Sequence, residues 1–266
     1  MAINTKTTPN HREVEVLEAL RRMGGSARNS NIADLLGVSE ETIRRTTKAL
    51  AKADLVRRVH GGAYLPDVRA EAGVFSRLGQ RQDEKSQIGR ATARLIPNGA
   101  CIFLDVGSTT AYVAHALRKH KNLFVVTNSL TAAQTLARRR GNRVCLAGGE
   151  LQDAEWGTFG AEAERYVKNF RFDYAVFSVD GIDEKTGFLL SGLAEAALAR
   201  AVVSRSACTI VAADHLKFEN TAPNVMCAGR DVDVLVTDRR LTPARQRGID
   251  AWQIKVTAAE AEETTC

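Results

Sequence analysis

Several short polar clusters in this chain sit where an apolar run gives way to a helical pattern. Asp105-Val106-Gly107-Ser108-Thr109-Thr110 follows the run 101–104 and opens a helix. A glycine lets the backbone come close to a ligand, and free helix N–H groups beside Ser and Thr hydroxyls favour an anion such as phosphate. Thr127-Asn128-Ser129 ends another apolar run, and either faces the same ligand or simply caps the next helix. Gly148-Gly149 follows a third, and either admits a ligand or relieves a tight turn. Asp180-Gly181-Ile182-Asp183-Glu184 and Asp214-His215-Leu216-Lys217-Phe218 complete the set. Their carboxylates can accept hydrogen bonds from hydroxyl groups, and Lys217 can neutralise a phosphate or polarise a carbonyl. The expected ligand is therefore anionic and hydroxylated.

A different chemistry marks the N-terminal quarter. Residues 1–66 hold eleven Lys or Arg against seven Asp or Glu, within a chain of net charge +6. Thr42, Arg44, Arg45 and Lys48 lie on one short helical run, followed by Arg57, Arg58 and His60 in a β-like run closing on Gly61-Gly62. His60 alone reads as a local hydrogen-bonding residue; beside two arginines it joins a basic patch suited to a phosphate backbone.

The elements that must hold these groups follow from periodicity. Residues 11–23 and 30–36 read as helices, Gly37-Val38 as a tight turn, and Ser39 as the cap of a basic helix ending near residue 53. Residues 55–62 read as a hairpin wing, so the first unit is a winged helix-turn-helix spanning 1–66. Ile43, Thr47 and Leu50 share one face, so the Thr47 hydroxyl needs a partner, most simply a carbonyl one turn back. Thr46 lies on the same helix, which is expected to face DNA. A polar stretch, 67–79, reads as a linker, and a helix follows over 80–95. Short apolar strands then alternate with helices, predicting an α/β domain over 80–257 with a mainly parallel sheet. Ligands in such folds sit beyond the carboxyl ends of the strands, where the polar clusters fall. Residues 258–266 read as a disordered acidic tail.

The five cysteines show no metal-ligand spacing and no pairing pattern, so neither disulfide, metal nor cofactor is expected. No apolar stretch reaches membrane-spanning length, and residues 1–12 lack a secretory core. A cytoplasmic protein without membrane association is the expectation.

Val38-Ser39-x-x-Thr42-Ile43-Arg44-Arg45, with the wing ending His60-Gly61-Gly62-Ala63, resembles the DeoR family of transcription regulators. Thr46 and Thr47 stand where that family usually has Asp and Leu. The later clusters resemble the family's effector domain, which is similar to ribose-5-phosphate isomerase. In that resemblance Gly107, Ser108 and Thr109 match the phosphate loop, Asp180 to Glu184 the Asp-Gly-Ala-Asp-Glu motif, and Asp214 to Lys217 the Asp-x-x-Lys motif. The catalytic lysine and glutamate are not matched: the chain reads Leu190-Ser191-Gly192-Leu193 and has Ala199 near the glutamate position.

The resemblance implies a repressor of carbohydrate or polyol catabolic genes, not an enzyme. It implies a homo-oligomer on a double-stranded DNA operator, controlled by a phosphorylated sugar or glycerol-3-phosphate. Gly181-Ile182-Asp183 and the stretch from Asp214 to Pro223 look closest to the glycerol-3-phosphate type, although Ser191-Gly192-Leu193 departs from it. The competing readings are a sugar-phosphate isomerase with an accessory DNA-binding domain and a nonspecific nucleic-acid-binding module.

Overall fold

The structure is a computed structural model that describes residues 9–23, 25–59, 61–65 and 73–259. Its first unit begins with α1 (His11–Arg22), whose cap Asn10 and Glu13 exchange reciprocal hydrogen bonds of 3.0 and 2.8 Å. After β1 (Ser26–Arg28), α2 (Asn29–Leu36) ends on Gly37 in the left-handed region at φ 63°. The basic helix α3 (Glu40–Lys52) is capped by Ser39, whose Oγ accepts from the Thr42 amide. Val16, Leu20, Ile32, Ile43, Leu50 and Val56 close a small core. The wing, β2 (Arg57–Val59) and β3 (Gly62–Tyr64), gains a third strand because β1 pairs antiparallel with β3. Three residues are too few to show an alternating pattern, and β1 leaves none in the sequence.

Both threonines of α3 are buried. Thr47 donates to the Arg44 carbonyl at 3.1 Å, as its position demands. Thr46, although on the helix expected to face DNA, lies within the unit and donates to the Thr42 carbonyl at 2.9 Å.

The larger unit is a three-layer α/β/α arrangement around a seven-stranded parallel sheet. Its strands are β4 (Cys101–Leu104), β5 (Phe124–Thr127), β6 (Arg143–Leu146), β9 (Tyr174–Phe177), β12 (Thr209–Ala212), β14 (Val234–Thr237) and β15 (Lys255–Ala258), in the order β15-β14-β12-β9-β4-β5-β6. Alternate residues face opposite layers. Ile102 and Leu104 pack under α5 (Gln82–Arg94), α6 (Ser108–Leu117) and α7 (Leu130–Leu136). Phe103, Phe177 and Val211 pack against α8 (Ala161–Val167), α9 (Leu193–Val203) and α10 (Pro243–Ile249). Two small antiparallel sheets sit at the rim: β7 (Glu150–Gln152) with β8 (Gly157–Phe159), and β10 (Gly181–Asp183) with β11 (Gly187–Leu190) and β13 (Asn224–Cys227).

Two boundaries differ from the sequence expectation. The linker 67–79 contains a helix, α4 (Val74–Leu78), anchored by a hydrogen bond from the Val74 amide to the Ala154 carbonyl and by burial of Val74. At the other end, Ala258 belongs to β15, paired with Thr237, and Ala259 is buried, so the sheet reaches past 257. Strand pairing overrode the polar composition there. Residues 260–266 of the expected acidic tail lie outside the described residues. Among the described residues no helix is long and apolar enough to cross a membrane.

A chain ending at Gln253 loses β15 and bares the edge of β14. Its melting temperature should fall by roughly 5–10 °C relative to the full chain, on the usual scale for domains of this size; an unchanged melt would show that β15 adds no stability.

Candidate functional site

The chain reverses its direction of travel across the sheet between β4 and β9. From β4 it proceeds outward through β5 and β6, then returns to β9 and proceeds the other way. At such a switch point the connections leave in opposite directions and a crevice opens beyond the strand ends. Gly107 sits on its floor at φ 143°, and a Cβ there would lie 2.1 Å from the Ser178 hydroxyl. Only glycine fits, and the first turn of α6 thereby presents Ser108 and Thr109 to the cleft.

Ser178, Asp180, Lys217, Glu195, Arg77 and Glu155 complete the lining. Asp180 is fixed by accepting from the Ser191 amide at 2.8 Å. Lys217 stands on a 3-10 turn, His215–Phe218, started by Asp214, whose Oδ1 accepts from the Leu216 amide. That turn is braced from below, where His215 Nδ1 lies 2.8 Å from Asp238 Oδ2. Burial opposes ionisation of Asp238, but its hydrogen bonds with His215 hold its pKa below the ordinary carboxylate range. Across the mouth, the Arg77 guanidinium pairs with Glu155. Arg81 pairs with fully buried Asp214 at 3.1 Å, and buried Lys85 donates to the carbonyls of Arg77 and Gln80.

The electrostatics follow from crowding. Burial pushes the Asp105 carboxyl up to about 7, against the pull of hydrogen bonds from Val106 and Asn128, and Glu155 and Asp180 add to the rise. Glu195 is raised by desolvation and then by Asp180, Asp105 and Glu155, with Arg77 opposing. Lys85 is lowered to about 8 by burial and by the neighbouring charges of Lys217 and Arg81. The cleft is a closely mixed set of cations and carboxyls, with room as it stands for little more than a water: its volume is about 20 Å³.

The sequence candidates divide sharply. Gly107, Ser108, Thr109, Asp180 and Lys217 meet in the cleft. Asp105 and Thr110 lie beneath it; Thr110 donates to the Gly107 carbonyl, while Asp105 Oδ2 is buried with no hydrogen-bond partner among the described residues. Thr127, Asn128 and Ser129 are each bonded to the scaffold. Thr127 bonds the Leu104 carbonyl, Asn128 Oδ1 accepts from the Val106 amide, and Ser129 caps α7. They brace the floor and contact no ligand space. Gly148 and Gly149 are exposed, and Gly149 lets the β7–β8 hairpin fold back: a Cβ would lie 2.3 Å from the Phe159 carbonyl oxygen. Gly181 is similarly packed, its would-be Cβ 2.8 Å from the Asn220 carbonyl oxygen. Asp214 turns to Arg81 and its own turn. Asp183 points away from the cleft, to Arg28 of the first unit at 2.9 Å.

Sequence reading missed Arg77, Arg81, Lys85, Glu155, Ser178 and Glu195. Arg77, Arg81 and Lys85 recur every four residues, a signal that the linker reading obscured. Although the chain has Ala199 near the position of the isomerase's glutamate, the first turn of α9 brings Glu195 into the cleft from four residues earlier.

In the first unit, Arg44, Arg45, Lys48, Arg57 and Arg58 are exposed on α3 and the wing, and Thr42 is half-exposed. Arg44 is held by Glu40 at 2.9 Å, and Arg57 by Asp54 at 3.3 Å. His60 lies outside the described residues.

Asp105 supplies a pH test. Below about pH 4 it is protonated in both folded and unfolded chains. Between there and pH 7 the unfolded chain releases the proton and the folded one keeps it, so stability falls as pH rises. Asp105→Asn, which never ionises, should gain on the wild type across that window, by on the order of 1–4 kcal/mol at pH 8. Chemical melts at pH 5 and pH 8 read the difference; an equal gain at both would disprove the raised pKa.

The comparisons with known proteins agree with this geometry. Residues 12–69 match the DeoR-like helix-turn-helix domain, and residues 80–239 match the DeoR C terminal sensor domain. The chain is 34% identical over 223 residues to the glycerol-3-phosphate regulon repressor of Escherichia coli strain K12, covering 84% of this chain and 88% of that one. It is 32% identical to the HTH-type transcriptional repressor CsqR of the same strain, covering 93% and 94%. It is 30% identical to the HTH-type transcriptional repressor GlcR of Bacillus subtilis strain 168, covering 87% and 90%. Among solved structures, ribose 5-phosphate isomerase A of Methanocaldococcus jannaschii aligns with 52% of this chain and 55% of that one, at 18% identity and a TM-score of 0.38, too loosely to carry an argument. The helix-turn-helix, the sensor sheet and these three relatives, each named a repressor, together place the chain in the DeoR family of transcription regulators.

Proposed function

We propose that this regulator represses genes of carbohydrate or polyol catabolism, and that a phosphorylated sugar or polyol in the cleft changes its grip on operator DNA. The observation that carries the ligand class is that Gly107, Ser108 and Thr109 at the start of α6 line one cleft with Lys217 and the carboxyls of Asp180 and Glu195. The first four suit a phosphate, the carboxyls the hydroxyl donors of a sugar or glycerol. Glycerol-3-phosphate is the first candidate, supported by the name of the Escherichia coli relative.

Operator contact falls to the exposed face of α3, with Arg45 and Lys48 central, and to Arg57, Arg58 and His60 of the wing. The active species is a homo-oligomer on repeated half-sites, the usual geometry for this class of DNA-binding unit. Because the cleft is nearly filled by its own side chains, a sugar phosphate must part its walls. Differential affinity for open and closed forms is what allows a ligand to shift DNA binding.

Thermal melts against glycerol-3-phosphate, sugar phosphates and the unphosphorylated parents test the ligand class. One ester at a hundred times its dissociation constant should add about 2.7 kcal/mol of stability, and its parent polyol nothing; silence from every ester would remove the sugar-phosphate reading. Arg45→Ala should weaken operator binding by about 1–3 kcal/mol and keep the ester's thermal shift. Lys217→Ala should do the reverse, binding operator normally while responding poorly to the ester. A variant that damaged both activities equally while still folded would overturn the division of labour.

A further inference from the structure

The two units meet at a small contact whose points on the sensor side stand two to four residues beyond a side chain lining the cleft. Asp180 lines the cleft, and Ile182 and Asp183 follow it on β10; Arg28 Nη2 donates to the Ile182 carbonyl at 3.0 Å and to Asp183 Oδ2 at 2.9 Å. Lys217 lines the cleft, and Glu219 follows it; the Glu219 carbonyl accepts from Asn31 Nδ2 at 3.0 Å. Between these bonds the wing presses close, since a Cβ on Gly62 would lie 2.7 Å from Thr221 Cγ2.

Asp183 is built for this contact. Its other oxygen accepts from the Lys185 and Thr186 amides, both at 2.9 Å, which fixes the carboxylate toward Arg28. The two attachment points are also tied to each other. Arg245 pairs with Glu184 at 3.0 Å and lies over the Phe218 ring, 5.5 Å from its centroid. One side chain, Arg245, thus touches both the end of β10 and the turn carrying Lys217. On the other side, Arg28 and Asn31 belong to the start of α2, whose Ile32 and Ala33 pack in one core with Ile43 of α3.

We infer that Arg28 is a positioning residue that couples the cleft to the DNA-binding helices, and that Asp183 acts as its receptor and not as a ligand group. When ligand parts the cleft, the rim segments after Asp180 and Lys217 shift, and the Arg28 and Asn31 bonds carry the shift to α2 and thence to α3. This inference rests on the sugar-phosphate reading of the cleft, but the latch itself does not.

The test uses the full chain, sn-glycerol 3-phosphate as probe, and operator duplex selected from random sequence on the wild-type protein. In the wild type the probe should change operator affinity by about 5–150-fold, the usual range of allosteric coupling. R28A should show the same probe-induced rise in melting temperature and still bind operator, yet its affinity should change by less than about twofold. R28K, which keeps the aliphatic stem and one donor, should respond in between and guards against a folding defect in R28A. An R28A protein as responsive as the wild type overturns the coupling role. If the probe shifts the melting of neither protein, it is the ligand assignment that fails, and hydrogen exchange without ligand decides the latch. Faster exchange of the α2 amides in R28A sustains it, and unchanged exchange overturns it.

Discussion

The reversal of chain direction between β4 and β9 is the constraint on which the rest of the molecule depends. Two neighbouring parallel strands whose continuations leave on opposite sides cannot close the space beyond their ends. That space is narrow here because Gly107 and Ser178 approach within a distance no Cβ could share. Everything that gives the site its character, from the first turn of α6 to the Lys217 turn and the Asp180 loop, is hung on the two sides of this gap.

Charge then determines how the gap is kept. Four carboxyls (Asp105, Glu155, Asp180 and Glu195) crowd a poorly solvated space and raise the pKa of Asp105 and Glu195. Arg77, Arg81, Lys85 and Lys217 offset them, three from the segment just before and within α5, and Lys85 is in turn depressed by its cationic neighbours. An anionic ligand inserted here relieves the cations and a hydroxyl-bearing one relieves the carboxyls, so one molecule carrying both groups meets both needs.

How much of this could be seen in the chain beforehand depended on range. The glycine-serine-threonine turn after β4 was legible because strand, glycine and helix start are consecutive in sequence. So was the basic helix with its Ser39 cap. Thr127-Asn128-Ser129 looked like the same kind of site, but Thr127 and Asn128 bond backbone groups at the end of β4 and Ser129 caps α7, and no local pattern reveals a partner 22 residues away such as Asn128 and Val106. The Asp183 contact was hidden for a similar reason: its partner Arg28 is 155 residues distant. The helix inside the expected linker was hidden because five residues, rich in polar neighbours, give no periodicity; its order comes from the Val74 amide and side chain docking onto the larger unit.

The nearly closed cleft has a consequence for the concentration at which the regulator responds. When the receptive form is a small fraction of the population, apparent affinity is weaker than intrinsic affinity by that fraction. On the proposed reading, the Arg77–Glu155 bridge in the cleft lining would act as a set point. Substitutions that loosen or tighten it retune the threshold of the genetic switch while every atom that identifies the ligand stays in place. A lineage can in this way adapt to richer or poorer surroundings without relearning which molecule to sense.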